Sequence, residues 1–326
     1  MVEYSKTNRI PLIAIVGPTA SGKTSLAIEI ATKYNGEIVS ADSMQIYKGM
    51  NIATAKPTQE ELKKAPHHLI GYVDATQSYS VGLYVEQAKK VIKDIYNRGK
   101  MPILAGGTGL YVSTLLNNVM LPTQGENIEV RNELYKRLEA EGVQSLLEEL
   151  RSFDAQCAEK IEENLNAKRI IRAIEVYKTT GVTFTKHMEN SKTEPSPYCD
   201  VRIGLKCKDR ANLYERINMR VDKMLEEGLL KETQEVLANN CGKTAKMAIG
   251  YKELKPYFDG NLTLEEAIEN LKRETRRYAK RQLTWFNKDE KINWIETDTL
   301  ENFEQIVLKA EKIIEETKHK FGSEII

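Results

Sequence analysis

The sequence contains the octapeptide Gly17-Pro18-Thr19-Ala20-Ser21-Gly22-Lys23-Thr24. The apolar run at residues 12–16 predicts a buried strand before it, and apolar residues at helical spacing follow it. Between a strand and a helix, the pattern G-x-x-x-x-G-K-[ST] predicts a phosphate-binding loop, because its backbone N–H groups and the positive helix end surround an anion. We therefore expect these eight residues to bind a diphosphate or triphosphate, with Lys23 on an outer phosphate and Thr24 as a ligand of Mg²⁺.

Short strand candidates alternate with helical patterns around this loop. Residues 38–40, 102–105 and 201–205 are predicted as strands, and residues 84–95 carry apolar side chains on one helical face. Such alternation predicts a mostly parallel sheet covered by helices on both sides. The expected fold class is therefore α/β, with a P-loop NTPase-like sheet flanked by helices and an inserted all-helical domain.

The pattern also divides the chain into segments. Between about residues 122 and 197 it becomes purely helical, and strand character resumes near residue 201. We predict a catalytic core at residues 1–121 and 201–326, with a helical insertion at residues 122–200. Further helices are predicted at residues 213–230, 264–286 and about 300–318.

Composition narrows the class of protein. The 326 residues carry a formal net charge of +1, so any binding of nucleic acid must come from local basic clusters. The four cysteines include no C-x-x-C pair, which argues against a zinc knuckle or a disulfide framework. The apolar run that ends at Val16 is too short to span a bilayer. We expect a cytoplasmic protein with no membrane association and no obligate protein partner.

Asp42 follows the predicted strand at residues 38–40. Parallel α/β sheets bind ligands at the carboxyl ends of their strands, so this carboxylate is placed for chemistry beside the phosphate loop. In kinases and NTPases a comparable Asp binds magnesium. A turn or helix-capping Asp is the plain structural alternative.

The chain resembles the tRNA dimethylallyltransferase family, also called tRNA isopentenyltransferases. The resemblance is carried by five blocks that span most of the chain. They are residues 17–24, residues 40–50 (SADSMQIYKGM) continuing through 54–57, residues 106–111 (GGTGLY), residues 168–176 (KRIIRAIEV) and residues 279–286 (AKRQLTWF).

The resemblance implies that the loop binds dimethylallyl diphosphate and that Asp42 is the general base for the N6 amine of an adenosine next to the anticodon. It implies Mg²⁺ as cofactor, bound at Thr24, and catalytic roles for Lys23, Thr24 and Arg220. The expected partner is the anticodon stem-loop of tRNA. The residues expected to contact tRNA are Asp42, Ser43, Met44, Gln45, Thr108, Arg131, Lys168, Arg169, Ile170, Ile171, Arg172, Lys280 and Arg281.

The chemistry agrees with these roles. The departing diphosphate gains charge, which fixed donors and Mg²⁺ stabilise. The N6 amine is a poor nucleophile that a nearby carboxylate assists, and the base must leave its stack to enter a pocket.

Basic side chains form three further features. Arg216 and Arg220 lie four residues apart on one predicted helix. We expect Arg220, more than Arg216, to clamp the leaving diphosphate. The alternative is a solvated helix face on which these arginines pair with Glu215 or Glu227. Six of the ten residues at 272–281 are Lys or Arg, which predicts phosphate-backbone contacts or a solvated helix face. Lys168, Arg169 and Arg172 form a basic edge on another helix. Trp285 and Phe286 could stack on bases, but we expect them to lie in the core. We expect His67 and His68 to be structural rather than metal ligands.

Two other functions remain open at this point. A prenyltransferase that acts on free adenine nucleotides would share the loop and Asp42, but would lack much of the helical insertion and of the basic C-terminal helix. A P-loop small-molecule kinase or NTPase would release or transfer phosphate from ATP and ignore prenyl diphosphate.

Overall fold

The computed structural model describes residues 9–119, 127–191, 194–239 and 241–321. Within them the chain forms one six-stranded sheet in which every neighbouring pair is parallel, in the order β3-β2-β4-β1-β5-β6. The strands are β1 (Ile10–Val16), β2 (Gly36–Ser40), β3 (His67–His68), β4 (Met101–Gly106), β5 (Tyr198–Lys206) and β6 (Ile292–Glu296). The predicted α/β class with a mostly parallel sheet is confirmed.

Helices cover this sheet and form a separate cluster in the middle of the chain. They are α1 (Lys23–Lys33), α2 (Gln59–Lys64), α3 (Val81–Asn97), α4 (Gly109–Leu116), α5 (Ile128–Phe153), α6 (Ala155–Glu162), α7 (Ala167–Thr180), α8 (Phe184–Asn190), α9 (Arg210–Glu226), α10 (Leu229–Ala238), α11 (Lys243–Lys246), α12 (Tyr251–Phe258), α13 (Leu264–Phe286) and α14 (Phe303–Phe321). Among the described residues, none of the helices is both long and apolar enough to cross a membrane.

The main core lies between the sheet and helices α1 and α14. β1 is central and buried from Pro11 onward, as expected for a parallel strand covered on both faces. Leu26 and Ile30 of α1 recur at helical spacing, and they are fully buried against the sheet together with Ile314 of α14. This packing anchors the start of α1, and with it the phosphate loop, at the carboxyl end of β1.

The chain divides into two compact units, Met1–Leu115 with Pro197–Ile326, and Leu116–Ser196. The second unit contains α5 to α8, which pack around a core of their own that includes Leu134, Leu147 and Ile174. Gly142, with φ 82°, interrupts α5. The predicted boundary between residues 121 and 122 lies outside the described residues, and β5 begins at Tyr198, three residues before the strand predicted at residues 201–205.

Two features of the fold differ from the sequence prediction. The single helix predicted at residues 213–230 is two helices, because Gly228 adopts φ 102° between α9 and α10. Strands β3 and β6 were not predicted. β3 has only two residues, and β6 buries only Ile292 and Ile295 of its five, so neither has the continuous apolar run of a central strand.

Candidate active site

The phosphate loop depends on two glycines. Gly17 has φ 155°, and a Cβ there would stand 2.6 Å from the carbonyl oxygen of Leu205 on β5, so only glycine fits. Gly22 has φ 89° and precedes α1 without a side-chain cap, which leaves the first N–H groups of α1 for a ligand. This arrangement of amides binds anions such as phosphate.

Two side chains of the loop are incompletely satisfied by protein. The buried Ser21 hydroxyl has no hydrogen-bond partner among the described residues. Lys23 Nζ donates to the carbonyl of Pro18 at 3.1 Å, and burial, with a smaller contribution from the charge of Arg220, lowers the pKa of Lys23 to about 8. A polyanion in the loop would accept a hydrogen bond from the buried Ser21 hydroxyl and would stabilise the buried positive charge of Lys23.

Lys23 and Thr24 line a cavity of about 320 Å³ within the first unit. Asp42, which follows β2, lines the same cavity, as do Arg220 of α9 and Tyr278 of α13. Part of the wall is apolar, with Val221, Met224, Leu229, Met247, Ala248, Ile249 and Leu271. The cavity thus combines a phosphate cradle, a carboxylate and an apolar wall.

The carboxyl group of Asp42 is held by the turn that follows it. Its Oδ1 accepts from the backbone N–H of Met44 at 2.9 Å and, more weakly, of Gln45 at 3.4 Å. Within the described chain, the hydrogen bonds to this carboxyl group go to Oδ1, so Oδ2 remains to accept a proton. The Asp42 side chain therefore stabilises a turn and also lines the cavity beside the phosphate loop. The two placements considered from the sequence are thus compatible.

Thr108 connects the turn after β2 to the loop after β4. Its Oγ1 accepts from the backbone N–H of Ser43 at 2.9 Å, and its own N–H donates to the carbonyl of Ala41 at 3.1 Å. The two loops are so close that a Cβ at Gly106 would stand 2.2 Å from the same carbonyl oxygen. Ser43 and Thr108, both predicted to contact the nucleotide, are thus joined directly.

Gln45 fixes a second segment against this turn. Its Nε2 donates to the carbonyls of Thr54 and Ala55, at 3.1 and 3.0 Å, and its Oε1 accepts from Ser40 Oγ at 3.1 Å. Gln45 and Met44 both line the cavity. The amide group of Gln45 therefore already binds protein on both of its polar atoms.

Glu232 of α10 organises the same segment, although no local sequence pattern pointed to it. Its buried carboxylate accepts from three consecutive backbone N–H groups, those of Asn51, Ile52 and Ala53, at 2.8 to 3.1 Å. It also accepts from the hydroxyl of Tyr251 at 2.8 Å. A lone Glu in a helical pattern reads as a solvent-facing residue, and only the tertiary structure brings residues 51–53 to it.

The two arginines of α9 have different surroundings. Arg220 lines the cavity, where burial lowers its pKa although the charge of Asp42 acts in the opposite direction. Arg216 instead donates from Nη1 to Thr297 Oγ1 at 3.1 Å and does not line this cavity. Arg220 thus borders the cavity that Lys23 and Asp42 line, whereas Arg216 borders a different, smaller cavity beside Ser21 and Gly22.

Gln282 of α13 joins the two loops that border the cavity. Its Oε1 accepts from the N–H of Thr19 at 2.9 Å, and its Nε2 donates to the carbonyl of Gly107 at 2.9 Å. Lys280 and Arg281 beside it are exposed, and Arg281 lines the cavity. Gln282 belongs to the block at residues 279–286 that carries the family resemblance, but its bridging role was not predicted.

The aromatic residues at the end of α13 behave differently from each other. Phe286 is buried, as predicted. Trp285 is 42% exposed, so the prediction that it lies in the core is wrong. The two residues are adjacent on a helix, where consecutive side chains point about 100° apart, and only Phe286 points into the protein interior.

The predicted tRNA-contacting residues of the second unit fall into three groups. Lys168 and Arg169 are exposed at the start of α7. Arg131 and Arg172 both bind the buried carboxylate of Glu175, at 2.9 and 3.1 Å, and the Arg131 pair also joins α5 to α7. The side chains of Ile170 and Ile171 lie in the helical core, 0% and 2% exposed, so the structure does not present these two side chains at the surface.

His67 and His68 have protein partners. His67 Nδ1 bonds to the carbonyl of Ala65 at 2.8 Å, and His68 Nε2 bonds to Glu37 Oε2 at 2.7 Å. Arg98 binds the same carboxylate with two nitrogens, at 2.6 and 2.7 Å. The side chain of His68 therefore ties the edge strand β3 to β2, and that of His67 makes a local bond, in keeping with a structural role.

The donors at the phosphate loop are compatible with Mg²⁺. The Thr24 hydroxyl and the Asp42 carboxylate line one cavity. The described residues contain no group of three or more His, Cys, Asp or Glu that would hold a metal by protein side chains alone. Mg²⁺ is commonly bound by one or two protein oxygens together with phosphate oxygens and water, so a phosphate-dependent site fits these residues.

The fold and site define a P-loop protein whose phosphate loop, carboxylate and buried arginine border a single cavity. The family described as IPP transferase matches residues 45–289. The chain therefore belongs to the IPP transferase family.

Named relatives agree with this assignment. The tRNA dimethylallyltransferase of Thermoanaerobacter sp. (strain X514) is 45% identical over 301 residues, which cover 91% of this chain and 95% of that protein. The protein of the same name from Bacillus subtilis (strain 168) is 44% identical, with 88% and 90% covered.

Solved structures are also similar. The tRNA isopentenylpyrophosphate transferase of Bacillus halodurans superposes with a TM-score of 0.71 at 42% identity, covering 95% of this chain and 97% of that one. A eukaryotic dimethylallyltransferase acting on tRNA gives a TM-score of 0.80 at 30% identity, covering 92% and 78%.

Proposed function

We propose that this chain transfers a dimethylallyl group from dimethylallyl diphosphate to the N6 amine of an adenosine next to the anticodon of tRNA, releasing diphosphate. Membership of the IPP transferase family and the names of relatives at about 45% identity support the reaction. The single observation that carries it is the cavity in which Lys23, Thr24, Asp42 and Arg220 meet. We place this activity in the cytoplasm, where tRNA is used.

The phosphate loop would bind the diphosphate. The unsatisfied N–H groups at the start of α1 and the Ser21 hydroxyl donate to its oxygens, and Lys23 supplies a buried positive charge. Arg220 faces the same space and would clamp the oxygen that gains charge as the bond breaks. Mg²⁺ held at Thr24 would supply further charge neutralisation when bound.

The apolar wall suits the five-carbon group. Met224, Leu229 and Ile249 line the cavity that Lys23 also lines, so a short branched hydrocarbon attached to a diphosphate has an apolar surface within reach. Such a surface excludes water, which would otherwise compete with the amine for the allylic carbon. A kinase for polar metabolites would gain nothing from this wall.

The bonding changes balance as a single displacement. The lone pair of N6 forms a bond to C1 of the allylic group, the C1–O bond breaks, and its electron pair leaves with the diphosphate. The amine proton passes to Asp42, whose Oδ1 is held by two backbone N–H groups while Oδ2 remains to accept it. The turn at residues 42–45 and Thr108 would hold the base.

The test is transfer with purified protein. Unmodified tRNA transcript, dimethylallyl diphosphate and Mg²⁺ are incubated with the protein, and the nucleosides are then analysed by mass. A dimethylallyl adduct on one adenosine beside the anticodon is the expected result. Parallel reactions with AMP in place of tRNA, and with ATP alone, separate the alternatives: a preference for AMP would assign the protein to free nucleotides, and phosphate release from ATP without prenyl transfer would assign it to the kinases or NTPases.

Binding of tRNA is expected to depend on exposed cations. Lys280 and Arg281 on α13 and Lys168 and Arg169 on α7 are the described candidates. The affinity for tRNA should fall with salt concentration. The slope of log K against log salt concentration should become shallower by about one for each phosphate contact that a variant loses. Single alanine variants, measured at several salt concentrations, identify which of the four side chains contact phosphate.

A further inference from the structure

Two helices run in opposite directions along the wall of the cavity. Lys272 of α13 binds Asp222 of α9 at 2.7 Å, and Arg276 of α13 donates to Asn218 Oδ1 at 2.7 Å. A step of one turn forward on α13 therefore corresponds to a step of one turn back on α9. This antiparallel pairing determines which residues of the two helices stand at the same level of the cavity.

The cavity has a polar end and an apolar end along this pair of helices. Gln282 accepts from the backbone N–H of Thr19 in the phosphate loop, so the later part of α13 lies at the polar end. Arg220 of α9 and Thr275 of α13 stand at about the same level and both line the cavity. Leu271 also lines it, about one helical turn, or about 5.4 Å, farther from the phosphate loop along α13. The wall therefore becomes apolar as it leaves the phosphate loop.

The apolar end is closed by side chains that belong to a packed core. Leu271, Leu229 of α10 and Val221 of α9 line the cavity, and they are 2%, 0% and 2% exposed. All three belong to one hydrophobic cluster. Leu254 and Ala267 are members of the same cluster, are 0% exposed and do not line the cavity. Because such interiors are close-packed, this end of the cavity has little room to expand.

We propose that Leu229 and Leu271 limit the length of the prenyl group, so that the cavity admits a five-carbon dimethylallyl group and excludes a ten-carbon geranyl group. The inference rests on the proposed transfer from dimethylallyl diphosphate. With the diphosphate held by the phosphate loop, the hydrocarbon extends along the apolar wall toward the two leucines. A second five-carbon unit would have to displace them, and forcing additional carbons into a packed core is unfavourable.

Steady-state kinetics with two prenyl donors test this role. With unmodified tRNA as acceptor, wild-type protein should prefer dimethylallyl diphosphate to geranyl diphosphate by about 100-fold or more in kcat/KM. Leu229→Ala and Leu271→Ala remove atoms at the closed end. Each variant should reduce the preference by about 10-fold or more, through a higher kcat/KM for geranyl diphosphate. An unchanged preference in both variants would overturn the proposal.

Leu254→Ala is the matched control. It removes the same atoms from the same cluster but leaves the lining of the cavity intact, so it should lower Tm by a similar amount and keep the wild-type preference. If Leu254→Ala changes the preference as much as the other two variants, general loosening of the core explains the effect and the proposal is wrong. Should an alanine variant not fold, Leu229→Val and Leu271→Val remove less and should shift the preference in the same direction.

Calorimetric titration with the two prenyl diphosphates separates this inference from the proposed function, because it requires no turnover of tRNA. Wild-type protein should bind dimethylallyl diphosphate more tightly, and the variants at Leu229 and Leu271 should gain affinity for geranyl diphosphate. If wild-type protein modifies no tRNA but shows this pattern, the proposed function fails and the length limit stands. If it modifies tRNA and binds both donors equally, only the length limit fails. Variants that raise KM for tRNA without changing the preference would assign the apolar end to the base and overturn the proposal.

Discussion

The buried carboxylate of Glu232 offers a sharp test of how the site is organised. It accepts from the N–H groups of Asn51, Ile52 and Ala53 and from the hydroxyl of Tyr251. The segment that follows places the carbonyls of Thr54 and Ala55 on Gln45. Removing the carboxylate should therefore loosen the segment and, through Gln45, the turn that carries Asp42.

The expected magnitude follows from the donors that lose their acceptor. Glu232→Ala orphans four donors, and at roughly 1 kcal/mol for each the free energy of unfolding should fall by about 4 kcal/mol. Glu232→Gln keeps the shape but presents an NH₂ group to N–H donors, so it should cost about half as much. Tyr251→Phe removes one hydrogen bond and serves as the matched control, with a loss of about 1 kcal/mol.

The assay pairs urea unfolding with steady-state kinetics. A merely structural role predicts lower stability with normal kinetics of the folded fraction. A positioning role predicts in addition a higher KM for tRNA in Glu232→Gln, with KM for dimethylallyl diphosphate less affected, and non-additivity with Gln45→Ala. The reasoning is refuted if Glu232→Ala costs less than Tyr251→Phe, or if the variants at Glu232 and Gln45 have independent effects on KM.

Four other predictions follow from the site and its surroundings. Asp42→Asn should bind dimethylallyl diphosphate normally while kcat falls about 100-fold or more, and an unimpaired kcat would remove Asp42 as general base. Arg220→Ala should lower kcat, whereas its matched control Arg216→Ala should affect stability instead, and equal kcat values would contradict a clamp. The pKa of Lys23 is about 8, so its positive charge is present below pH 8 and is lost above it. In the wild type, KM for the diphosphate should therefore rise above pH 8. In Lys23→Met, KM should be high at every pH. Hydrogen bonds from Arg98, opposed by burial, lower the pKa of Glu37 from 4.5 to about 2. The stabilisation by the Glu37 carboxylate is therefore complete above pH 4.5 and is lost as the pH falls toward 2. The difference in urea midpoint between wild type and Glu37→Gln should shrink over that range, and a constant difference would contradict the ion pair.

Features that depend on local sequence were predictable. The phosphate loop is a contiguous motif whose glycines adopt backbone angles that other residues avoid, and α13 begins and ends at the predicted residues, Leu264 and Phe286. The central strands β1, β2, β4 and β5 are short apolar runs, as buried parallel strands must be. Asp42 could be placed because it follows one of these strands and precedes a turn.

Features that depend on contacts between distant residues were decided by the tertiary structure alone. Glu232 meets residues 51–53 across about 180 positions, and Gln282 meets Thr19 across 263, so no local pattern reports either contact. The solvent exposure of individual side chains could not be predicted either. Trp285 and Phe286 are neighbours with similar chemistry, yet only Phe286 is buried. Ile170 and Ile171 belong to a basic segment, yet both are buried. Sequence thus determines backbone geometry and local periodicity, whereas the partner of a polar group and the side of a helix that solvent reaches are set when separate elements pack together.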